Sequence, residues 1–158
     1  MDKIKKLFCV RKKGLSLLVF MITIMLLITA CMSTNLYDRI LDFCKNHDEI
    51  NLSEITDFDW DIAYIDRDYY HSGEELEKKH QIEGTFKMLH SDYNYRIAFC
   101  KDNVLVYDLI LVDSTIETDN SIEIIYPDSI FTVTRVPIPE IKEEKLILTL
   151  KNNPQEAE

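Results

Sequence analysis

The chain has 158 residues and a formal net charge of −10 at pH 7, with 18 Lys and Arg against 28 Asp and Glu. Proteins that bind nucleic acid need clustered Lys and Arg, so this acidic balance argues against a nucleic-acid partner. The apolar content of 46% is high enough to form a hydrophobic core. The sequence contains only 3 glycines and no glycine-rich phosphate loop, which excludes the nucleotide-binding motifs built on such loops.

Residues 1–30 have the composition of a secretory signal. Six basic residues precede an apolar run at 15–30 that carries no charge. A basic segment, an apolar segment and a small residue before a cleavage site are typical of exported proteins. The run is shorter than the roughly 20 residues that a membrane-spanning helix needs. This segment therefore predicts export.

The end of the apolar run carries a more specific pattern. Ile28-Thr29-Ala30-Cys31 resembles the lipobox of bacterial lipoproteins: an aliphatic residue, a small residue, Ala or Gly, then Cys. The resemblance implies that Cys31 receives a diacylglyceryl thioether and becomes the first residue of the mature chain. Two acyl chains anchor a protein stably, whereas one holds it only marginally. The alternative is an uncleaved N-terminal helix. Either interpretation places the domain on the outer face of the cell membrane.

This resemblance divides the chain into a lipoprotein signal peptide at 1–30, a lipidated tether at 31–35, one globular domain at 36–151 and a polar tail at 152–158. Without residues 1–30 the chain keeps 12 basic and 27 acidic residues, a net charge of −15. An anionic membrane surface repels such a domain. The lipid on Cys31 is therefore the expected link to the plasma membrane.

The predicted elements after residue 35 indicate an α+β domain. Apolar spacing predicts a helix at 36–46, alternation predicts a strand at 58–66, and a capping box predicts a second helix at 73–81. The segment 49–56 is ambiguous. Successive strands without crossover helices predict a mainly antiparallel β-sheet with two short helices packed on one face. These later strands are predicted at 95–101, 104–112, 121–126, 131–136 and 145–150, with a hairpin turn at Asp102-Asn103.

Three aspartates, Asp57, Asp59 and Asp61, alternate along the predicted strand 58–66 and should share one face. Such a face is either solvated or a site for a hard cation such as calcium. The segment lacks the glycine and curvature of a calcium loop, so we expect no metal. The histidines also fit no zinc-ligand spacing. We predict no cofactor, no metal ligand and no catalytic residue. These histidines are His47, His71, His80 and His90.

Two other sets of residues are candidate functional groups. Several tyrosines around the second helix form a possible binding surface, because a tyrosine at an interface buries its ring and keeps its hydroxyl wet. The alternative is that these rings complete the core. Cys44 and Cys100 could form a disulfide outside the cytoplasm, or remain buried free thiols. The tyrosines are Tyr64, Tyr69, Tyr70, Tyr93 and Tyr95.

The sequence therefore predicts a membrane-anchored extracytoplasmic lipoprotein whose domain is a non-enzymatic binding module. Its expected partner is an envelope protein or a secreted protein. The alternative is a small extracellular hydrolase that uses an Asp/Glu pair. No HExxH, GxSxG or CxxC motif is present to favour a particular enzyme class.

The lipobox interpretation makes a direct prediction for Cys31→Ser. The hydroxyl cannot form the thioether, so the variant should carry no lipid and should not be cut between Ala30 and Cys31. Mass spectrometry of the protein extracted from membranes measures both properties. A variant that is still lipidated and processed normally would show that the lipobox interpretation is wrong.

Overall fold

The computed structural model describes residues 35–67, 73–89, 91, 94–112, 115–139 and 143–152. The chain divides into two units, Met1–Thr34 and Asn35–Glu158, and every described residue belongs to the second. The described part contains two α-helices and eight strands, which confirms the predicted α+β class. Neither of these helices has the length and apolar character required to cross a membrane.

The strands form two four-stranded sheets. Sheet 1 has the order β1-β7-β8-β5 and sheet 2 has the order β4-β3-β2-β6. All neighbours are antiparallel except β5 and β8, so the expected antiparallel character is confirmed. The helices are α1 (Leu36–Cys44) and α2 (Glu74–His80), and a 3-10 turn covers Leu52–Glu54. The strands are β1 (Glu49–Asn51), β2 (Ile62–Asp66), β3 (Asn94–Lys101), β4 (Val104–Val112), β5 (Ile116–Thr118), β6 (Ile124–Ile125), β7 (Ile130–Ile138) and β8 (Glu143–Asn152).

Helix α1 begins and ends with clear caps. The Asn35 side chain accepts a hydrogen bond from the backbone N–H of Asp38 at 2.9 Å, as an N-cap residue should. Leu36, Ile40 and Cys44 fall at helical spacing and are buried. Arg135 of β7 donates to the carbonyl of Cys44 at 2.8 and 3.0 Å, which satisfies an orphan acceptor. The helix therefore ends two residues before the predicted boundary.

The hairpin between β3 and β4 forms at the predicted turn. Asp102 and Asn103 both have positive φ, at 51° and 63°, as a two-residue hairpin turn of this kind requires. The ladder also contains a bulge, because Phe99 pairs with Tyr107 while its neighbour Cys100 pairs with Leu105. A bulge changes which face of the sheet the following side chains occupy.

The two sheets enclose the main core, and the two helices lie in different hydrophobic clusters. The core contains the inner faces of both sheets and α1, with Ile97 and Phe99 of sheet 2 close to Phe131 and Leu148 of sheet 1 in one cluster. Helix α2 belongs to a second cluster, in which Leu76 packs with alternate residues of sheet 2. Because side chains alternate between faces, α2 lies on the outer face of sheet 2 instead of sharing a face with α1.

Strand β2 begins at Ile62, four residues later than the predicted start at Phe58. Ile62 pairs with Cys100, so residues before Asp61 would lie beyond the end of β3, where the chain turns at Asp102. Alternating side chains cannot make a strand without a partner to pair with. The expectation that three aspartates share one strand face is therefore wrong.

The remaining differences concern short strands. Only Ile124–Ile125 of the predicted strand 121–126 pairs, because the Asp119 side chain accepts two hydrogen bonds from Ser121 and bends the chain. Strand β5 was not predicted. It has three residues and pairs in parallel with β8, and so short a segment has no readable periodicity.

A buried ion pair connects β3 and β4 on the outer face of sheet 2. The Arg96 side chain is fully buried, and its Nε lies 3.4 Å from Oδ1 of Asp108. Asp108 also accepts a hydrogen bond from the backbone N–H of Lys87 at 2.7 Å, and Arg96 donates to the carbonyl of Lys87. The pair thereby holds the segment before β3 against the sheet. Phe86 packs its ring at 5.1 Å from the guanidinium.

We predict that Arg96→Met will lower the free energy of unfolding by about 3–5 kcal/mol, because it leaves the Asp108 carboxylate buried without its cation. Urea unfolding followed by tryptophan fluorescence measures this change. The double variant Arg96→Met, Asp108→Leu should lose clearly less than the sum of the two single losses. Additive losses would mean that the two side chains do not interact.

Candidate functional site

A cleft of about 320 Å³ lies between α2 and the end of β2 and is lined largely by polar and charged side chains. We call it the α2 cleft. Its size is at the lower end of the range for small-molecule sites. Both walls and the loop between β5 and β6 contribute charged or polar groups. Its lining residues are Tyr64, Ile65, Asp66, Arg67, Glu75, Leu76, Lys79, His80, Asn120 and Glu123.

Helix α2 sets one wall of the cleft. Its N-cap is Gly73, which has φ +86° and packs closely against Arg96 and Phe86. A Cβ at this position would collide with the Arg96 guanidinium and the Phe86 ring, so only glycine fits. Leu76 is buried against the sheet. The helix thus presents Glu75, Lys79 and His80 to the cleft.

An aromatic stack lies at one end of the cleft. The rings of Tyr64 and His80 are 4.0 Å apart between centroids and inclined by 29°. Burial, with a smaller contribution from Lys79, lowers the pKa of His80, whereas Glu123 acts in the opposite sense. Burial also raises the pKa of Tyr64. Both rings are therefore neutral at pH 7. Tyr64 is only 8% exposed, so His80 supplies the more accessible ring of the stack.

A salt bridge crosses the mouth of the cleft. Lys79 Nζ of α2 lies 3.4 Å from Oε2 of Glu123, which precedes β6, and both side chains are more than 60% exposed. Exposed ion pairs contribute only about 0–1 kcal/mol. A ligand could separate these two groups at little cost and use each of them for a new hydrogen bond.

Arg67 forms the far end of the cleft and is committed to the backbone. Its guanidinium donates to the carbonyls of Thr118, Asp119 and Ile122, at distances between 2.7 and 3.3 Å. It also donates to Thr118 Oγ1 at 2.7 Å. These bonds fix the loop that carries Asn120 and Glu123. Arg67 therefore shapes the cleft, and both of its terminal nitrogens are engaged in these bonds.

The predicted tyrosine surface is only partly present in this site. Tyr64 lines the cleft. Tyr95 is a core residue instead, because it is 3% exposed and its hydroxyl donates to the carbonyl of Ile116 at 3.1 Å. For Tyr95 the structure therefore agrees with the alternative, in which the ring completes the core. Tyr69, Tyr70 and Tyr93 lie outside the described residues, as does the proposed lipidation site at Cys31.

The three aspartates do not converge. Asp57 forms an ion pair with Arg39 at 3.0 Å, and the hydrogen bond from Arg39 lowers its pKa. Asp59 pairs with Lys101 at 3.0 Å, and Asp61 accepts from the backbone N–H of Asp102 at 3.0 Å. The contacts of Asp59 and Asp61 brace the β3–β4 hairpin, whereas the contact of Asp57 is with helix α1. In the part of the chain that the structure describes, no group of three or more His, Cys, Asp or Glu is placed to hold a metal ion.

Cys44 and Cys100 are buried free thiols. Cys44 belongs to the main core, whereas Cys100 packs with Leu76 on the outer face of sheet 2. Sheet 2 therefore separates the two side chains, and the structure contains the free-thiol alternative instead of the disulfide. Burial raises the pKa of each thiol to about 11.

Comparison with known protein families, with characterised proteins and with solved structures finds no match to this chain. The candidate site therefore rests on its own geometry.

Several cleft residues were not identified from the sequence. His80 fits no zinc-ligand spacing, and nothing in the sequence around Glu75 and Lys79 marks either residue as part of a site. Their spacing along α2 already placed all three near one side of the helix. The sequence does not show which residues lie opposite α2 in the cleft, because Arg67 and Glu123 are distant in sequence and no local pattern links them to α2.

The burial of Cys44 and Cys100 predicts slow alkylation in the native, unreduced protein. A pKa of about 11 reduces the thiolate fraction, so iodoacetamide should react roughly two orders of magnitude more slowly than with an exposed cysteine of ordinary pKa. After unfolding without reductant, both residues should be alkylated, as peptide mass spectrometry can show. If neither is alkylated until a reductant is added, the two are joined by a disulfide.

Proposed function

We propose that this protein is an extracytoplasmic lipoprotein, anchored to the plasma membrane through lipid on Cys31. We further propose that its domain is a non-enzymatic binding module for an envelope or secreted protein. The Ile28–Cys31 lipobox after a basic and apolar segment supports the anchor. The α2 cleft supports the binding role, and it is the observation that carries that part of the proposal.

The polar groups of the cleft favour recognition of a partner over covalent chemistry. Lys79 and Glu123 are exposed and weakly paired, so they are available to a partner after a small rearrangement. Arg67 donates to three backbone carbonyls, so its position in the cleft is fixed. The neutral His80 ring, which stacks on the buried Tyr64, adds an aromatic contact for a partner.

The hydrolase alternative would use the carboxylates of the same cleft, Asp66, Glu75 and Glu123. A general acid and a general base need different pKa values, which environment normally imposes. Glu123 is instead ion-paired and largely exposed. The geometry therefore supports binding better than hydrolysis.

We predict that Glu123→Lys will abolish most partner capture by the α2 cleft. The substitution removes the ion pair with Lys79 and places two like charges at the mouth. The lipidated protein, isolated from its own envelope after mild crosslinking, should then retain much less of the partner seen with the unmodified chain. Quantitative mass spectrometry of the captured proteins measures the loss.

The matched control is Glu117→Lys. Glu117 of β5 also pairs with a lysine, Lys145, at 2.7 Å, but it lies in sheet 1 and not in the cleft. The control has the same change of charge and also loses an ion pair. It should capture the partner normally. Equal losses in both variants would indicate a general charge effect, and no loss in either would place the binding surface elsewhere.

A further inference from the structure

Strand β4 is the outermost strand of sheet 2, and its start is paired on the outer side, where the backbone N–H of Leu105 donates to the carbonyl of Glu83 at 2.8 Å. Large apolar side chains are exposed at five positions among the described residues, and three of these are valines of β4. A fourth, Met88, is 63% exposed and follows Lys87, which bonds to Asp108 of β4. Soluble domains normally protect an edge strand with charge or proline. The valines are Val104, Val106 and Val112.

A shallow groove of about 320 Å³ follows this edge. One wall is formed by Asn35 and Tyr37 at the start of α1, and Lys87 contributes to the opposite wall. The floor includes Ile110 and Val112. The Asp108 carboxylate in this region is buried and paired with a cation, so it presents no free charge to the groove.

The position of Asn35 connects this groove to the proposed anchor. Cys31 is only four residues before Asn35 in the sequence. Four residues span at most about 14 Å, even when fully extended. A lipid attached to Cys31 therefore holds Asn35, which lines the groove, within about that distance of Cys31.

We propose that the surface formed by Tyr37, Lys87, Met88, Ile110 and Val112 contacts the lipid bilayer in the anchored protein. We call it the edge surface. This inference rests on the proposed lipid anchor at Cys31. The apolar side chains suit the boundary between headgroups and acyl chains, and a tyrosine ring is favoured at that level. The lysine ammonium can interact with lipid phosphates.

The edge surface does not anchor the protein by itself. The mature chain has a net charge of −15, and the exposed Asp38 lies beside Tyr37. Anionic lipid opposes the approach of such a domain. A short tether raises the local concentration of the surface at the bilayer, so that a weak contact is made once the lipid is inserted. The edge surface thus sets orientation, and the lipid supplies the affinity.

The test uses the lipidated full-length protein with a single added thiol. Val112→Cys is the probe position, and Val136→Cys in β7 is the matched control, because these valines are 37% and 39% exposed. Val136 lies in β7 of sheet 1, and its side chain does not line the groove. Cys44 and Cys100 are buried, so an environment-sensitive fluorophore should label the added thiol selectively.

The labelled proteins are reconstituted into vesicles of phosphatidylcholine, with or without phosphatidylglycerol, that contain brominated lipid as a quencher. We expect the probe at 112 to shift to shorter wavelength and to be quenched by the lipid. The probe at 136 should show neither change. Adding Met88→Asp should reduce the quenching at 112, and thermal melting should verify that this variant is folded.

Two results would overturn the inference alone. One is equal quenching at both positions, which means that the domain has no fixed orientation. The other is no quenching at either position while the protein floats with the vesicles, which leaves the edge surface for a protein partner. If mass spectrometry finds no lipid on Cys31 and the protein does not float, the proposed anchor fails and the inference fails with it.

Discussion

The outer layer of this domain depends on one buried ion pair, between Arg96 and Asp108. The face of sheet 2 away from the core is covered by a helix of seven residues and by the segment 82–89, most of which has no regular secondary structure. Elements this short have little stability of their own. Arg96 holds them by pairing with Asp108, donating to Lys87 and packing against Phe86. Without the Arg96 cation, the Asp108 carboxylate would be buried and unpaired, which is costly. The outer layer is therefore stable only in the position in which Arg96 makes these contacts.

The α2 cleft follows from that position. Gly73 places the start of α2 directly over the Arg96 guanidinium, and Leu76 then packs on the sheet one turn later. With the helix fixed at these two points, Lys79 and His80 reach the end of β2. Arg67 fixes the opposite wall by bonding to three carbonyls of the loop after β5. Two arginines far apart in sequence therefore define one site, through rigid contacts with the backbone.

Local chemistry in the sequence was sufficient for some elements and not for others. The hairpin was predictable because Asp102 and Asn103 tolerate the positive φ that a two-residue turn requires. Helix α1 was predictable from its apolar spacing, and only its last turn was not, because Arg135 is 91 residues away from Cys44. The start of β2 was not predictable from alternation, because register with β3 leaves Phe58 without a partner strand.

Of the residues that line the cleft, only Tyr64 is predicted as a site residue from the sequence. The others are missed because their partners are distant in the sequence. Arg96 lies within an otherwise apolar strand, and nothing near it in sequence reveals that its charge is compensated by Asp108 on the next strand. The same is true of Tyr95, whose hydroxyl finds the carbonyl of Ile116 in the core. An isolated sequence shows which side chains are polar, but burial with a partner depends on pairings that form only in the tertiary structure.

The positions of the two surfaces on sheet 2 give the proposed anchor a functional consequence. The edge surface lies at β4, whereas the α2 cleft is built against β2, beyond the intervening strand β3. Neighbouring strands are about 4.8 Å apart, so β4 and β2 are separated by about 10 Å of sheet. If β4 faces the bilayer as proposed, the α2 cleft lies nearer the opposite edge of sheet 2. The proposed tether would then leave the cleft accessible to the proposed partner, because it draws a different edge of the sheet toward the lipid.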